Sequence, residues 1–327
     1  MSRTLLRTLA ASAVLLLAVA GCSSGAGQSG TTDEPAAAGE FPVTLEHAFG
    51  STTIEQEPQR VVTVGFNDAD FALALGVQPI AVRENIGDYD YENRPWAQEA
   101  LQGGPAPEIL VGADIPIEQV AALEPDLILG VYSLMDRATY DALSQIAPTI
   151  AQGTEDGTNA ATWDEQTRIS GQALGRTAEA DEVIAQTQAK FDEAQQTYPD
   201  FAGKNLKFGF YIEGTPYDMG TEDLRAQLFD GLGFTVRPDS ETLSLEEQGR
   251  LDTDLLTVIG RSRADSEADP VFSAIPAVQE GRVVYLGAFD TEFAAALGYS
   301  SPLSLPYAVD VVAPQLDAAL KGEAQGS

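Results

Sequence analysis

Cys22 is the only cysteine of the chain, and the residues before it decide its chemistry. A basic start with Arg3 and Arg7 precedes an apolar run of about 12 residues, Leu9 to Ala20, which is shorter than the ~20 residues of a membrane helix. Small residues then lead into the cysteine, a pattern typical of a bacterial signal peptide with a lipobox. We expect a signal peptide over 1–21 and two acyl chains on Cys22; a retained membrane helix is the less favoured alternative.

Metal and catalytic chemistry find few suitable residues. Zn or Mn sites in proteins use several histidines, and His47 is the single histidine here. We therefore expect no direct metal site, although an all-oxygen site for a hard ion stays open. Serine catalysis would have His47 alone as its histidine base, and no G-x-S-x-G elbow occurs in the region from Phe41 onward. We expect no enzyme, with a lipid-anchored hydrolase or a glycosidase using two of the 50 acidic residues as the alternatives.

Arginine and aromatic residues follow the ends of several predicted strands. Ligands of open α/β sheets bind beyond the carboxyl ends of strands, so these side chains are candidate ligand contacts. Aromatic rings pack on organic groups, and arginine donates paired hydrogen bonds to oxygens. Core packing or solvation is the alternative for each. The candidates are Arg83, Tyr91, Trp96, Tyr132, Arg137, Tyr211, Tyr217, Arg261 and Tyr299, with Phe289 beside the last loop.

Composition and charge narrow the class of protein. Of 327 residues, 44% are hydrophobic and 21% are charged, which is typical of a globular chain with a sizeable core. The net charge of −32 repels a phosphate backbone, so we expect no nucleic-acid partner. This length favours two domains over one.

The elements that must position these residues alternate between strands and helices. Helical patterns cover Asp68 to Leu75 and Ala138 to Ile146. Alternation of this kind predicts parallel sheets with crossover helices. The predicted strands are Arg60 to Gly65, Pro79 to Arg83, Asp126 to Tyr132, Lys207 to Glu213, Leu255 to Gly260 and Arg282 to Gly287.

Two segments repeat each other. PIEQVAALEPDLI, beginning at Pro116, aligns without a gap with SLEEQGRLDTDLL, beginning at Ser244. The alignment places Glu118 on Glu246 and Asp126 on Asp254. Each copy predicts a short helix, a turn and a buried strand, and two copies indicate two similar lobes.

A long helix is predicted between the two copies. One helix runs from Trp163 to Leu174 and stops at Gly175, and Thr177 then caps a second helix. An apolar stripe at helical spacing continues in it to Tyr198, so its roughly 22 residues span about 33 Å. We expect a flexible, lipid-anchored linker over 22–40, an N-terminal α/β lobe over 41–175, a bridging helix over 176–199 and a C-terminal α/β lobe over 200–327.

The order and spacing of these segments resemble the class III substrate-binding lipoproteins of ABC importers, in particular the iron-siderophore group. The resemblance covers Phe41 to Leu320 and is carried by segments such as EPQRVVTVGFNDADFALALGVQPIAV, IPIEQVAALEPDLIL, WDEQTRISGQALGR and DPVFSAIPAVQEGRVVYLG. It implies an α/β fold of two Rossmann-like lobes joined by a single long helix, with the ligand in the cleft between them. The stiff connection predicts little closure.

The same resemblance implies that an acidic residue on each lobe docks on arginines of the membrane permease. The matching positions are Glu118 and Glu246, the pair already aligned by the repeat. Helix capping is the alternative for Glu118, which would be the third residue of a helix beginning at Pro116. In the other copy Ser244 and Glu247 form a predicted capping box, which leaves Glu246 unused.

The implied ligand is a ferric siderophore, and the implied partners are an ABC importer permease and, through it, its ATPase. No cofactor is expected. The acidic surplus favours either a cationic complex of the ferrioxamine type or, with no bearing on the ligand, a uniformly solvating acidic surface. Haem or cobalamin, or a ligand-free sensor or scaffold lipoprotein, are the alternatives. We expect an exported monomer that is lipid-anchored at the outer face of the cytoplasmic membrane.

Overall fold

Strands and helices alternate along the residues that a computed structural model describes, 41–84, 93–155 and 161–323. The strands are β1 Val43–His47, β2 Gly50–Ile54, β3 Val61–Thr63, β4 Ala81–Arg83, β5 Glu108–Leu110, β6 Leu127–Leu129, β7 Thr149–Ile150, β8 Leu206–Ile212, β9 Thr215–Met219, β10 Glu241–Thr242, β11 Leu255–Ile259 and β12 Val283–Tyr285. The helices are α1 Asp68–Ala74, α2 Gln98–Leu101, α3 Ile117–Ala122, α4 Arg137–Leu143, α5 Trp163–Leu174, α6 Thr177–Thr197, α7 Gln227–Gly231, α8 Arg263–Ala268, α9 Pro276–Gln279, α10 Glu292–Tyr299 and α11 Ser304–Leu320. Short 3₁₀ helices cover Pro95–Ala97, Pro199–Phe201, Leu224–Ala226 and Leu245–Leu251.

The first lobe is built on a five-stranded sheet in the order β5-β4-β3-β6-β7, in which every pairing is parallel. Its central strands, VVT and LIL, are buried at every position, as expected of strands covered by helices on both faces. Leu127 and Leu129 belong to a first apolar cluster, and Ile128 belongs to a second one. The antiparallel hairpin β1-β2 adds Leu45 and Ile54 to the first cluster.

The second lobe is built on a five-stranded sheet in the order β10-β9-β8-β11-β12. Strands β8, β11 and β12 are parallel, whereas β9 and β10 are antiparallel to their neighbours. The β9 strand follows β8 through a tight turn at Glu213 and Gly214, both with positive φ. The six predicted strands are confirmed within two to three residues at their ends, while the hairpin strands and the short edge strands were not predicted.

The internal repeat has a structural counterpart. In the first copy the Asp126 carboxylate accepts hydrogen bonds from the backbone N–H groups of Gln59 and Arg60, both at 2.8 Å. In the second copy Asp254 accepts one from the Asn205 N–H at 2.9 Å. Each aspartate therefore fixes the chain just before the central strand of its own sheet.

Helices α5 and α6 connect the two lobes. Gly175 ends α5 in the left-handed conformation at φ 69°, and α6 continues without interruption over 21 residues. Near its start Ala180 packs in a core of the first lobe, and near its end Phe191 packs in the core of the second lobe. The predicted long helix and its apolar stripe are confirmed, but Arg176 rather than Thr177 occupies the N-cap position.

Candidate ligand cavity between the lobes

An open cavity of about 390 Å³ lies where the two lobes meet, within the size range of small-molecule sites. Both lobes contribute to its wall, and most of the side chains are apolar or aromatic. The lining residues are Phe66, Tyr132, Leu134, Phe210, Ile212, Leu224, Arg225, Ile259, Phe289, Ala294 and Gly298.

The two sheets place these residues together for a topological reason. In the first lobe the strand order reverses between β3 and β6; Phe66 follows β3 and Tyr132 follows β6. In the second lobe the central strands β8 and β11 end at Ile212 and Ile259. Such switch points leave a crevice at the carboxyl ends of parallel strands, and here two crevices face each other.

Arg225 is the only charged side chain among the described lining residues. Its Nε and Nη2 donate to the two carboxylate oxygens of Asp223 at 2.8 and 2.5 Å, and its guanidinium carbon lies 4.2 Å from the ring centroid of Phe210. Burial opposes the charge, but the hydrogen bond and charge of Asp223 raise the pKa of Arg225 overall. Arg225 therefore stays protonated at the wall of the cavity.

Tyr132 is the other polar side chain of the lining. Burial raises the pKa of its hydroxyl, the nearby Arg225 opposes that effect and Asp223 adds to it. The phenol thus stays protonated at neutral pH and can donate a hydrogen bond. Its ring meets Phe66 edge-on at 5.7 Å between centroids.

Three predicted contacts of the second lobe lie outside the cavity lining. The Tyr211 hydroxyl donates to Gln248 Oε1 at 2.8 Å on the opposite face of the sheet, because neighbouring strand residues point to opposite faces. Arg261 pairs with Asp269 at 3.1 Å. Tyr217 lies opposite Phe210 on β9 and packs against the core of that lobe.

Two predicted contacts of the first lobe also lie outside the lining. Arg83 is behind the wall, with its guanidinium 4.4 Å from the ring centroid of Phe66, and its Nη2 donates to the Ala113 carbonyl at 2.6 Å. Burial lowers the pKa of Arg83 despite the charge of Asp114. Arg137 is exposed and pairs with Asp141 one helical turn away, at 2.9 Å.

Trp96 and Tyr299 belong to a buried junction between the lobes rather than to the cavity lining. Trp96 Nε1 donates to Asp70 Oδ2 at 2.9 Å, and the Trp96 and Tyr299 ring centroids are 5.8 Å apart. Asp70 also forms an ion pair with Arg94, both fully buried, and accepts a hydrogen bond from the Ser301 hydroxyl at 2.8 Å. This junction ties α1 of the first lobe to the segment between α10 and α11.

Glu118 and Glu246 lie on the exposed surface of their lobes. Helix α3 begins at Ile117 with Pro116 as its N-cap, so Glu118 is its second residue and not the third as predicted. In the other copy Glu247 accepts the Ser244 backbone N–H at 3.0 Å, as expected of a capping box. Neither Glu118 nor Glu246 takes part in a hydrogen bond or ion pair within the described residues.

Cys22, like the rest of residues 1–40, lies outside the described residues, and so does Tyr91.

The sequence prediction of the site missed Phe66, Phe210 and Arg225. Phe66 follows a predicted strand and could have been found by the rule that identified Tyr132. Arg225 lies on a short 3₁₀ helix after a hairpin, and no local signal in the sequence indicates its position.

The described parts of the chain contain no cluster of metal-ligating side chains and no helix that could cross a membrane. No group of three or more His, Cys, Asp or Glu residues there is arranged to hold a metal ion. His47 bonds to the Thr52 hydroxyl at 2.9 Å, and burial lowers its pKa. No helix among these residues is long and apolar enough to cross a membrane.

Known proteins are similar to this chain in sequence, and solved structures are similar to it in fold. The Fe(3+)-citrate-binding protein YfmC of Bacillus subtilis (strain 168) is 26% identical over 295 residues, which cover 85% of this chain and 88% of that protein. A periplasmic solute binding protein of Mycobacterium smegmatis is 34% identical with a TM-score of 0.76, covering 85% of this chain and 98% of that chain.

A second solved structure carries a ligand. Streptococcus pneumoniae PiaA in complex with ferrichrome superposes with a TM-score of 0.74 at 26% identity, covering 86% of this chain and 99% of that chain. A model of the periplasmic binding protein family matches residues 61–288, from the first strand of the parallel sheet to just beyond the last strand of the second sheet. With two α/β lobes around one cavity, this chain is a member of the periplasmic binding protein family.

Proposed function

We propose that this protein is an extracytoplasmic solute-binding protein that captures a ferric siderophore between its lobes and delivers it to an ABC importer for iron uptake. The observation that carries the proposal is the apolar, partly aromatic cavity at the facing carboxyl ends of both sheets. Relatives whose names state ferric citrate binding, and a similar structure with ferrichrome, support this ligand class.

The side chains of the lining suit the organic exterior of an iron chelate. In such a chelate the organic shell itself supplies the ligands of the iron. Phe66, Phe210 and Phe289 offer ring faces and edges to such a shell. Tyr132 and Arg225 offer hydrogen bonds to its oxygens. The protein supplies no iron ligand in this proposal, so the ferric complex enters and leaves intact.

The proposed role is binding and release without a chemical step. Among the described lining residues, only Tyr132 and Arg225 carry an ionisable group, and both keep their protons at neutral pH. Acid–base catalysis needs a group that exchanges a proton near the working pH. The described residues of the lining provide no such group.

Delivery requires the membrane and a permease. We propose that lipid on Cys22 holds the folded part at the outer face of the cytoplasmic membrane, with 22–40 as its tether. The exposed carboxylates of Glu118 and Glu246 are proposed to meet arginines of the permease, one from each lobe, with the lobes spanning 41–175 and 200–327 about a connection over 176–199.

Fluorescence titration of the soluble form beginning after Cys22 tests the proposal. The ligands are ferrichrome, ferrioxamine B, a ferric catecholate, ferric citrate, haem and cobalamin, with each iron-free siderophore as the matched control. We expect saturable quenching of Trp96 and Trp163 emission by at least one ferric complex at submicromolar concentration, and a raised melting temperature.

Two results would contradict the proposal. Saturation by haem or cobalamin alone would replace the ligand class while keeping the cavity. A melting temperature and an emission unchanged by every ligand would instead favour a sensor or scaffold without a ligand.

A further inference from the structure

Among its described residues, the cavity is polar at two points and, with Asp223 against Arg225, carries no net charge. Arg225 is the only charged residue among its described lining, and Asp223 lies directly against it. Both oxygens of that carboxylate are occupied by the guanidinium, and Asp223 Oδ1 also accepts the Arg225 backbone N–H at 3.0 Å. The pair is therefore a fixed, neutral unit of the wall.

Two hydrogen-bond donors remain for a ligand. Arg225 binds Asp223 through Nε and Nη2. Its third nitrogen, Nη1, has no hydrogen-bond acceptor within the described residues. The Tyr132 hydroxyl, from the other lobe, also makes no hydrogen bond there. A ligand that spans the cavity can accept a hydrogen bond from each lobe without bringing a charge of its own.

The edge of the cavity is unusually apolar. Leu134, Ile212 and Phe289 line it and leave 51%, 46% and 38% of their surface exposed. Leu134 holds this position with a positive φ of 55°, a conformation that leucine rarely adopts. Large apolar side chains kept exposed around a cavity mark a surface that an apolar ligand covers.

We infer that the ligand is an uncharged ferric chelate with an apolar exterior, a description met by ferric tris-hydroxamates that carry no further charged group. Three hydroxamates each carry one negative charge and neutralise Fe³⁺, whereas three catecholates leave a trianion. A buried charge without a partner costs far more free energy than a hydrogen-bonded neutral oxygen. The protein's net charge of −32 adds repulsion against an anion. The inference rests on the proposed function and narrows its ligand class.

Competitive titration of the soluble protein with two probes tests the inference. Ferrichrome is the uncharged tris-hydroxamate, and ferric enterobactin is the tris-catecholate trianion. We expect the Kd of ferrichrome to be at least about 100-fold lower than the Kd of ferric enterobactin.

The variant Asp223→Asn links this ratio to the neutral pair. Asparagine keeps the cap on the 3₁₀ helix over Leu224–Ala226 but removes the charge that balances Arg225. We expect the ratio of the two affinities to shift about tenfold towards ferric enterobactin. Asp239→Asn, at an exposed aspartate of the same lobe, is the matched control and should change neither affinity.

The outcomes separate the inference from the function on which it rests. Tighter binding of ferric enterobactin than of ferrichrome by the unmodified protein would overturn the inference and leave siderophore binding intact. An unchanged affinity ratio in a folded Asp223→Asn variant would show that the Arg225 pair does not set the charge preference. Binding of neither probe, nor of ferric citrate, would overturn the proposed function itself.

Discussion

Asp68 is a fully buried carboxylate just behind the first-lobe wall of the cavity. Its Oδ1 accepts the Val131 backbone N–H at 3.2 Å, next to Tyr132. Burial raises the pKa of Asp68 to about 7, although hydrogen bonds from the backbone of Val131, Tyr132 and Gly65 oppose the shift. The loops that carry Phe66 and Tyr132 therefore meet at a group that titrates near neutral pH.

The raised pKa of Asp68 predicts a pH-dependent stability. Between pH 4 and about 7 the folded state holds a proton that the unfolded state has released, so this residue's contribution to stability falls as pH rises through that window. Asp68→Asn removes the effect. We expect the melting temperature of the variant, relative to the unmodified protein, to be higher at pH 8 than at pH 5.

Asp181→Asn, at an exposed position of α6, is the control for Asp68→Asn. Its melting temperature relative to the unmodified protein should be the same at pH 5 and pH 8. If the melting-temperature difference between Asp68→Asn and the unmodified protein is the same at both pH values, Asp68 does not bind a proton in this range in the folded protein.

The limits of sequence analysis are clear at single residues. The rule that ligands bind beyond strand ends correctly selects the region and places Tyr132 in the lining. It cannot tell which of two neighbours on a strand faces the cleft, and so it selected Tyr211 where Phe210 lines the cavity. It also cannot tell a free arginine from one held by a distant acid, as Asp269 holds Arg261.

Helices α5 and α6 approach closely because one position has no side chain. A Cβ placed on Gly171 of α5 would lie 2.5 Å from the Cβ of Ala180 on α6. Two Cβ atoms do not come this close in proteins. The Ala180 Cβ cannot move away unless the backbone of α6 moves with it. The glycine therefore sets the spacing of the two helices that connect the lobes.

Gly171→Val tests this close approach. Overpacking should lower the free energy of unfolding by about 1–3 kcal/mol, measured by urea denaturation. Adding Ala180→Gly to the variant should recover part of the loss, since it removes the opposing Cβ. Gly249→Ala, whose Cβ meets no atom within 4 Å, is the control and should be near neutral. A Gly171→Val variant as stable as the parent would contradict the close contact.

Sequence periodicity predicted these elements better than it predicted the site. The stripe on α6 is governed by burial along a single helix, so Ala180, Thr187 and Phe191 are all buried as the spacing indicates. The β9 hairpin was missed because TPYDM contains a proline and no clear alternation, and its strand is stabilised by pairing with β8.

At the scale of the whole molecule, the lobes are joined by more than one connection. Helix α6 is continuous and lacks the loop residues that absorb a large rotation. The junction at Asp70 adds two buried hydrogen bonds between the lobes, from the Ser301 hydroxyl to Asp70 and from the Asn67 side-chain amide to the Tyr299 carbonyl. We expect small-angle scattering curves with and without ferric ligand to be nearly superimposable. A marked compaction on binding would contradict a stiff connection.

The paired surface carboxylates predict a separation of transport from binding. Glu118→Arg combined with Glu246→Arg should abolish iron uptake in cells and leave ligand affinity in vitro unchanged, because both residues lie outside the cavity lining. Glu182→Arg, at an exposed site on α6, is the control for the same substitution elsewhere on the surface and should retain uptake. Loss of ligand affinity in the double variant would show that this face belongs to the ligand site.

The central claim, that the cavity between the lobes holds the ligand, is tested most directly by isothermal titration calorimetry on a cavity-filling variant. Gly298 lines the cavity, and a Cβ there meets no atom within 4 Å, so Gly298→Trp places a ring in the open space without a backbone clash. We predict that Gly298→Trp weakens ferrichrome binding at least about 100-fold, while the exposed control Gly249→Trp binds normally. An unchanged Kd in a folded Gly298→Trp protein would place the ligand elsewhere and contradict the account.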